Sequence, residues 1–349
     1  MRVLMITPRV DMEHDIFGFI HTWVDELSKH LEKLEVVAFG VGKARLRDNV
    51  SLHSAYSRYQ AVKFIKLNRF LFRLTPKVDV VFTHMYPWLP IVAAPYARMF
   101  GKPLVMFNAH GHVDLKKILA AKLVDRVVTS SDRGFNIKTN KKVVIGQGID
   151  TNKFKPINNR IKKQDTFKIL NVGRIDKIKG YDVLIDAMNE IINNKNIKNI
   201  RLNIVAPIYD NDYFYYLNKK ISKYGIENYI TFTGHVPYVK LHKYYQMCDI
   251  FVNPSYASSL EKTVLEAMAC EKPVVTSNMA YYNDVFDDEL KKKCFFKPGD
   301  YNELADKIYN FIKNDEQRLR NKLRKIVIEN HSVENFVKNL VKIFEDVSR

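Results

Sequence analysis

Twice along this chain a series of short apolar runs alternates with helical stretches, and that alternation restricts the fold more than any other feature. Val3–Thr7, Val36–Phe39, Val78–Phe82, Leu104–Phe107, Arg126–Thr129 and Lys142–Ile145 read as the first series of strands. Lys168–Val172, Arg201–Val205, Tyr229–Thr233, Ile250–Asn253, Val274–Thr276 and Cys294–Phe296 read as the second. Short, mostly apolar strands separated by helices are the pattern of a doubly wound parallel sheet. Thr151 to Asp165, with Pro156, Asn158 and Asn159, is polar and reads as a joint between the two series. The expected organisation is α/β with two Rossmann-like domains, residues 1–155 and 165–332. A chain of 349 residues is long enough for each to bury its own core.

Within the second series, Pro254-Ser-Tyr-Ala-Ser-Ser-Leu-Glu-Lys-Thr-Val-Leu-Glu-Ala-Met-Ala-Cys-Glu-Lys-Pro-Val-Val275 reads as strand end, loop, helix and next strand. Thr263 to Cys270 is rich in helix formers, and Lys272-Pro273 halts it before Val274. A helix opening just past the carboxyl end of a strand offers unpaired N–H groups and a positive dipole end to an anion. Glu266 falls in its first turns, where a carboxylate can accept hydrogen bonds from sugar hydroxyls. An ordinary buried βαβ unit with one acid fits this segment equally well. Upstream, the strand Lys168-Ile-Leu-Asn-Val-Gly173 runs into Arg174-Ile-Asp-Lys-Ile-Lys179-Gly180. Gly173 allows a tight turn at the strand end. Arg174 and Lys179, a planar fork and a point charge on one loop, suit a diphosphate, although both could be solvated loop cations.

Gly173-Arg174 with Lys179-Gly180, and Pro254-Ser255 with Leu265-Glu266-Ala-Met-Ala-Cys270 and Lys272-Pro-Val-Val275, resemble the retaining glycosyltransferases of family 4. Gly148-Ile-Asp150 with Phe154-Lys-Pro156, Phe232-Thr-Gly234-His-Val236, and Tyr245 with Cys248-Asp249 extend the match in order through the C-terminal half. The N-terminal half is similar only at Arg2–Pro8, Asp79-Val-Val, His110-Gly111 and Ala121–Asp125. The resemblance implies the GT-B architecture, two such domains facing a central cleft, with a C-terminal helix over about 333–349 packing back on the first domain.

The same resemblance implies roles. Arg174 and Lys179 would hold the donor's diphosphate and neutralise the leaving group. Backbone N–H groups near Lys262 and Thr263 would add donors to the phosphates. Glu266, the second of a glutamate pair in the family, would bind the ribose hydroxyls, and Gly234, His235 and Val236 would lie along the base. His110 would sit at the donor sugar near the transferred carbon, its other reading being a loop histidine after an apolar strand. Gly18 stands where the family has a glycine loop near the phosphates, although the second glycine of that loop is absent. The first glutamate of the pair falls on Ser258, and Glu261 stands three residues late. Either Ser258 or Glu261 would therefore meet the sugar ring, which leaves the donor sugar open.

Of the formal charge of +18, +13 falls on residues 1–160, which hold 26 basic and 13 acidic residues. Lys63, Lys66, Arg69, Arg73 and Lys77 recur at three and four residues and share one helical face, while Phe64, Leu67, Leu71 and Leu74 share another. A cationic face beside an aromatic-rich apolar face suits an anionic membrane surface. A core-packed helix with a solvated basic face is the alternative.

Other chemistry is poorly supported. Gly146-Gln-Gly148 lacks a third glycine in register, so no nicotinamide fingerprint exists, and there is no Gly-Lys-Ser/Thr loop. Asp210-Asn-Asp212 has the spacing of a metal motif, but a surface turn explains it equally well. His110 and His112 supply two ligands without a third. No metal and no other cofactor are expected. Cys248, Cys270 and Cys294 are far apart and read as buried thiols of a reducing cytosol. Met1 to Thr7 enters a strand directly, so no secretory leader is expected. Tyr86 to Tyr96 is too short and too interrupted by proline to span a bilayer. The basic excess forms no recognisable nucleic-acid module.

The expectation is a metal-independent, retaining glycosyltransferase, cytoplasmic and peripheral on the inner face of the membrane. It would move a sugar from a nucleoside diphosphate donor to a lipid-linked or glycan acceptor. A GT-B sugar-nucleotide epimerase is the alternative among enzymes, and a basic nucleic-acid-binding protein the alternative outside them.

Overall fold

The computed structural model describes residues 1–157, 166–257, 259–314 and 316–349. They form two compact units, residues 1–148 with 330–349, and residues 149–329. The first unit runs β1 (Arg2–Val10), α1 (Gly18–Ser28), β2 (Lys33–Val41), β3 (Val50–Ser54), α2 (Gln60–Leu74), β4 (Val80–His84), α3 (Trp88–Met99), β5 (Leu104–Phe107), α4 (Leu115–Leu123), β6 (Arg126–Thr129) and β7 (Lys142–Val144). Among the described residues its sheet has the order β3-β2-β1-β4-β5-β6-β7, all parallel. The order reverses between β1 and β4, and such a reversal opens a crevice outside the carboxyl ends of the strands.

Strand β3 is absent from the sequence expectation. Val50 and Leu52 alternate there with Ser51, His53 and Ser54 on a sheet edge, where no residue is fully buried. A half-exposed edge strand lacks the continuous apolar run that marks a buried one.

The basic stretch does form a helix, α2, but its apolar side is not free. Leu67 and Leu71 are each 1% exposed and join Leu74 in the core with Leu4, Ile6 and Val81. The expectation that the apolar face with Leu67 and Leu71 meets a membrane surface is thereby corrected, because the sheet needs that face to cover its own apolar side. Lys77 lies beyond the helix, in a 3₁₀ turn over Thr75–Lys77. Lys66, Arg69, Arg73 and Lys77 are exposed, Lys63 is half-buried, and Phe64, Ile65 and Phe72 are exposed between them.

At the end of β4 the backbone is strained. Met85 has φ of +75°, and the Tyr86 N–H reaches back to the His84 carbonyl at 3.1 Å, a γ-turn of the rare positive-φ kind. Such a residue costs about 1–3 kcal/mol and needs to be held by its surroundings. Asn108 Nδ2 donates to the Met85 carbonyl at 2.7 Å, and the Met85 N–H to Phe107 O at 2.9 Å.

The second unit contains β8 (Phe167–Val172), α5 (Tyr181–Asn189), β9 (Ile200–Val205), α6 (Asn211–Tyr224), β10 (Ile230–Phe232), α7 (Tyr238–Met247), β11 (Ile250–Asn253), α8 (Lys262–Ala269), β12 (Val274–Thr276), α9 (Met279–Asp284), α10 (Asp288–Cys294), α11 (Tyr301–Lys313) and most of α12 (Gln317–His331). Its sheet has the order β10-β9-β8-β11-β12, again parallel, with the reversal between β8 and β11. Ile169, Leu202, Ile204, Ile250 and Val252 are buried on its strands. Cys294–Phe296 is not a strand. Asp287 caps α10, which runs on through Cys294, and Phe295 makes only an isolated bridge to Thr276.

The chain then returns to the first unit as α13 (Val333–Ser348), capped by Ser332. Phe336 stands 4.1 Å from Trp23, ring centre to ring centre, and Phe344 5.4 Å from Phe82. Trp23 Nε1 donates to the Gly148 carbonyl at 2.9 Å. Cys248, Cys270 and Cys294 are buried thiols. No helix among the described residues is long and apolar enough to cross a membrane.

Candidate active site

Two loops meet at the strand reversal of the second unit. One follows β8 and carries Gly173, Arg174, Lys179 and Gly180; the other follows β11 from Pro254 to Glu261 and enters α8. They are sewn together by backbone. The Tyr256 N–H donates to Ile178 O at 2.9 Å, and Ser255 Oγ to the same carbonyl at 3.3 Å. Gly180 is left-handed, φ +64° and ψ +32°, and a Cβ on it would lie 2.1 Å from the Pro254 carbonyl oxygen. Gly173 has a different reason from the tight turn expected of it. It lies outside the left-handed region, and a Cβ there would press on the buried Tyr181 hydroxyl at 3.0 Å.

Gly180→Ala is accordingly expected to destabilise the fold by more than the roughly 1–2 kcal/mol of a left-handed alanine alone, because the Pro254 contact adds to it. Thermal melting checks this, and an unchanged midpoint would show that the two loops are not in register as described.

Both loop cations have partners that the sequence reading missed. Arg174 Nε donates to Asp176 Oδ2 at 3.1 Å, and its guanidinium lies 5.6 Å from the Tyr209 ring centre. Asp176 also accepts from the Ile178 N–H, so it shapes the loop and holds the arginine together. Its nearness in sequence was the available signal; Tyr209, 35 positions on, offered none. Lys179 Nζ is paired with Glu261, which also accepts from Asn278 Nδ2 at 3.2 Å. Burial pushes the Glu261 carboxyl up, but the charge and hydrogen bond of Lys179, with hydrogen bonds from Asn278 and Ser255, hold it below the ordinary value. Glu261 is thus set against Lys179. Ser258, the other candidate for the sugar contact, lies outside the described residues.

Helix α8 starts at Lys262, with Thr263 next, so its opening N–H groups sit at this edge. Lys262 is half-exposed by area yet closely packed, and burial pushes its ammonium down to about 7 against the pull of Glu266. Glu266, 2% exposed, accepts from the Tyr245 hydroxyl at 2.8 Å. Burial raises its carboxyl, with Tyr245, Lys262, Tyr238 and Lys153 acting in the opposite direction. The carboxylate is therefore already held by protein before any hydroxyl reaches it. Tyr238 opens α7 immediately after Gly234, His235, Val236 and Pro237. Gly234 is left-handed with open space around it, His235 is exposed and Val236 is buried.

The first unit holds the remaining expected residues. Gly18 is the first residue of α1, its N–H donating to His14 O at 3.0 Å. His110 is exposed on the loop after β5, where its Nδ1 accepts from the His112 N–H at 3.2 Å. Lys117 ties that loop down by donating to the carbonyls of His110 and His112. Burial brings its ammonium down to about 8. Asp210 is the N-cap of α6, accepting from the Tyr213 N–H at 2.9 Å, and Asp212 lies in the first turn. Among the described residues no three His, Cys, Asp or Glu gather where they could hold a metal ion.

The chain is similar to known proteins. Over 173 residues the chain is 27% identical to D-inositol 3-phosphate glycosyltransferase 2 of Catenulispora acidiphila, covering 44% of this chain and 40% of that protein. Over 157 residues it is 29% identical to the alpha-monoglucosyldiacylglycerol synthase of Acholeplasma laidlawii, covering 44% and 37%. It thus spans about two-fifths of the length of these relatives. HepE of Anabaena, solved in complex with UDP and glucose, matches with a TM-score of 0.77 over 99% of this chain and 100% of that one, at 17% identity. That likeness shows the fold, which is GT-B. Residues 152–330, just over half of the chain, match the glycosyl transferases group 1, and the chain belongs to that family.

Proposed function

We propose that the chain is a retaining glycosyltransferase of the family 4 kind. It moves a sugar from a nucleoside diphosphate donor, a UDP- or GDP-sugar, to a lipid-linked or glycan acceptor, without a metal ion. The observation that carries this reading is the meeting of Arg174, Lys179 and the opening turn of α8 where the strand order reverses. Arg174 and Lys179 neutralise charge developing on the leaving diphosphate, and the N–H groups at Lys262 and Thr263 add donors. Glu266 accepts from the ribose hydroxyls with lone pairs that Tyr245 leaves unused. Gly234, His235 and Val236 run along the base. His110 is assigned to the donor sugar and Gly18 to the phosphates by resemblance. The leaving phosphate takes the acceptor's proton, so no protein base is required.

Lys63, Lys66, Arg69, Arg73 and Lys77 turn the enzyme toward an anionic membrane, read as the inner face of the cytoplasmic membrane rather than a nucleic acid. The exposed Phe64, Ile65 and Phe72, not the buried leucines, supply the apolar contact. A relative named for a glucosyldiacylglycerol supports that reading.

The test is a panel of UDP- and GDP-sugars offered with and without EDTA, products being identified by their anomeric configuration. Transfer with retention, undiminished by EDTA, is expected from one donor. Loss of activity in EDTA with recovery on adding a divalent ion would overturn metal independence, and an epimerised free donor would point to the epimerase instead. Lys66, Arg69 and Arg73 changed together to Glu are expected to abolish sedimentation with anionic liposomes.

A further inference from the structure

Three consecutive carbonyls on the loop after β5 are taken by side chains from elsewhere in the first unit. Lys117 Nζ donates to those of His110 and His112, the latter at 3.2 Å, and Asn136 Nδ2 donates to that of Gly111 at 2.8 Å. Within the loop, the His112 N–H donates to His110 Nδ1 at 3.2 Å. A neutral imidazole whose Nδ1 accepts carries its proton on Nε2. We infer that Lys117, seconded by Asn136, is a positioning residue that fixes the His110 ring in one tautomer and presents its Nε2–H as a hydrogen-bond donor. In the glycosyltransferase reading, on which the consequence for turnover rests, that donor meets the transferred sugar.

Packing alone does not explain a lysine here. Lys117 is 2% exposed and stands third in α4, where the N-cap Asp114 accepts from its backbone N–H at 2.7 Å. The first turn of a helix favours negative charge, and an ammonium is unfavourable to bury wherever it lies. A methionine of similar length would fill the same space against the fully buried Phe135 ring, whose centre is 4.5 Å from Nζ. What methionine lacks is the donors. The Asp114 carboxylate is engaged by the helix backbone, so the ammonium spends its hydrogen bonds on the two loop carbonyls.

The hold comes from two places in the chain. Lys117 follows the loop on α4, while Asn136 and Phe135 follow a 3₁₀ turn over Asp132–Gly134, beyond β6. With all three carbonyls fixed, the peptide planes of residues 110–112 are fixed as well, and the His112 N–H is aimed at the imidazole. A backbone donor set in this way selects the tautomer of a histidine as a side-chain partner does. Loss of Lys117 frees two of the three planes; loss of Asn136 frees one, on an exposed residue whose removal leaves the core alone.

A lysine that only stabilised the fold would leave the state of the ring unchanged, so the test reads the imidazole. The full chain is labelled with ¹⁵N, and His110→Gln identifies the His110 signals. In the wild type, His110 is expected as the Nε2–H tautomer, with the His112 amide protected from exchange. Lys117→Met is expected to give mixed tautomers and exchange at His112 faster by about ten-fold or more. Asn136→Ala is expected to move both in the same direction by less, and it decides the matter if Lys117→Met fails to fold. With the donor that is turned over, Lys117→Met is expected to lower kcat about ten-fold and leave the donor KM within about two-fold. The Lys117→Met, His110→Gln double variant is expected to be no slower than His110→Gln, because the lysine acts through the histidine. The inference is overturned if a folded Lys117→Met keeps the wild-type tautomer and His112 protection. It is overturned equally if Lys117→Met does not fold and Asn136→Ala matches the wild type, or if the two rate losses add in full. Loss of the tautomer in a chain that turns over no sugar nucleotide would count against the glycosyltransferase reading and leave the hold on His110 standing. Donor turnover with an unchanged tautomer would count against this inference alone.

Discussion

Alanine at Arg174 or Lys179 is expected to lower turnover by roughly 10²–10³-fold, the usual cost of removing one preorganised group that meets developing charge. The two variants should differ in kind. Arg174 is partly exposed and its loss leaves Asp176 in reach of water, whereas Lys179→Ala leaves the Glu261 carboxylate without its cation beside the diphosphate. An uncompensated carboxylate repels the donor, so Lys179→Ala is expected to be the worse variant and Glu261→Gln in the same chain to recover part of the loss. Steady-state rates for the four variants, with circular dichroism to show folding, check this. Unaltered turnover in a folded Arg174→Ala, Lys179→Ala double variant would remove the proposed clamp. The pair also sets a pH dependence. Lys179 helps hold the Glu261 carboxyl below its ordinary 4.5, so the pair stabilises the fold above that pH. The contribution disappears as pH falls through the lowered value.

A chain ending at Ser332 is expected to lose a folded first unit. Phe336, Val337, Leu340, Ile343 and Phe344 are buried on α13. At about 1.5–3 kcal/mol for each buried apolar side chain, their removal approaches the roughly 5–15 kcal/mol that holds a whole domain. Trp23, Phe82 and Phe107 would lose their cover as well. The measurement is protease resistance and near-ultraviolet dichroism of the shortened chain. A native-like near-ultraviolet spectrum after truncation would show that α13 is dispensable to this core.

The central strands and the two loops at the β8–β11 reversal were legible because their signals are local. Apolar runs stop at Gly173 and Pro254, and Arg174 and Lys179 lie within one short loop. What was not legible depends on residues distant in sequence. Lys179 and Glu261 are 82 positions apart, and nothing in either neighbourhood announces the other. Gly180 stands in the sequence only as the end of the loop that carries Arg174 and Lys179, and the Pro254 carbonyl pressed against it is known only from the fold. Leu67 and Leu71 carry the same periodicity whether a helix faces lipid or a sheet, so the pattern could not distinguish burial from insertion. Phe39, Lys63 and Trp88 come from three separate elements and meet only once the sheet is wound. Strand β3 and the end of α10 failed for smaller reasons, an alternating edge and a helix that runs through its last apolar residue.

The return of the chain to its first unit as α13 has a consequence for the order in which a ribosome can complete the two cores. Residues 149–329 are continuous and contain every strand of their own sheet. They can finish folding as soon as they have left the exit tunnel. Residues 1–148 are made earlier yet stay uncovered around Trp23, Phe82 and Phe107 until residues 333–348 follow. The half synthesised first is therefore the half that matures last. During that interval Trp23, Phe82 and Phe107 lack the rings of α13 that later cover them.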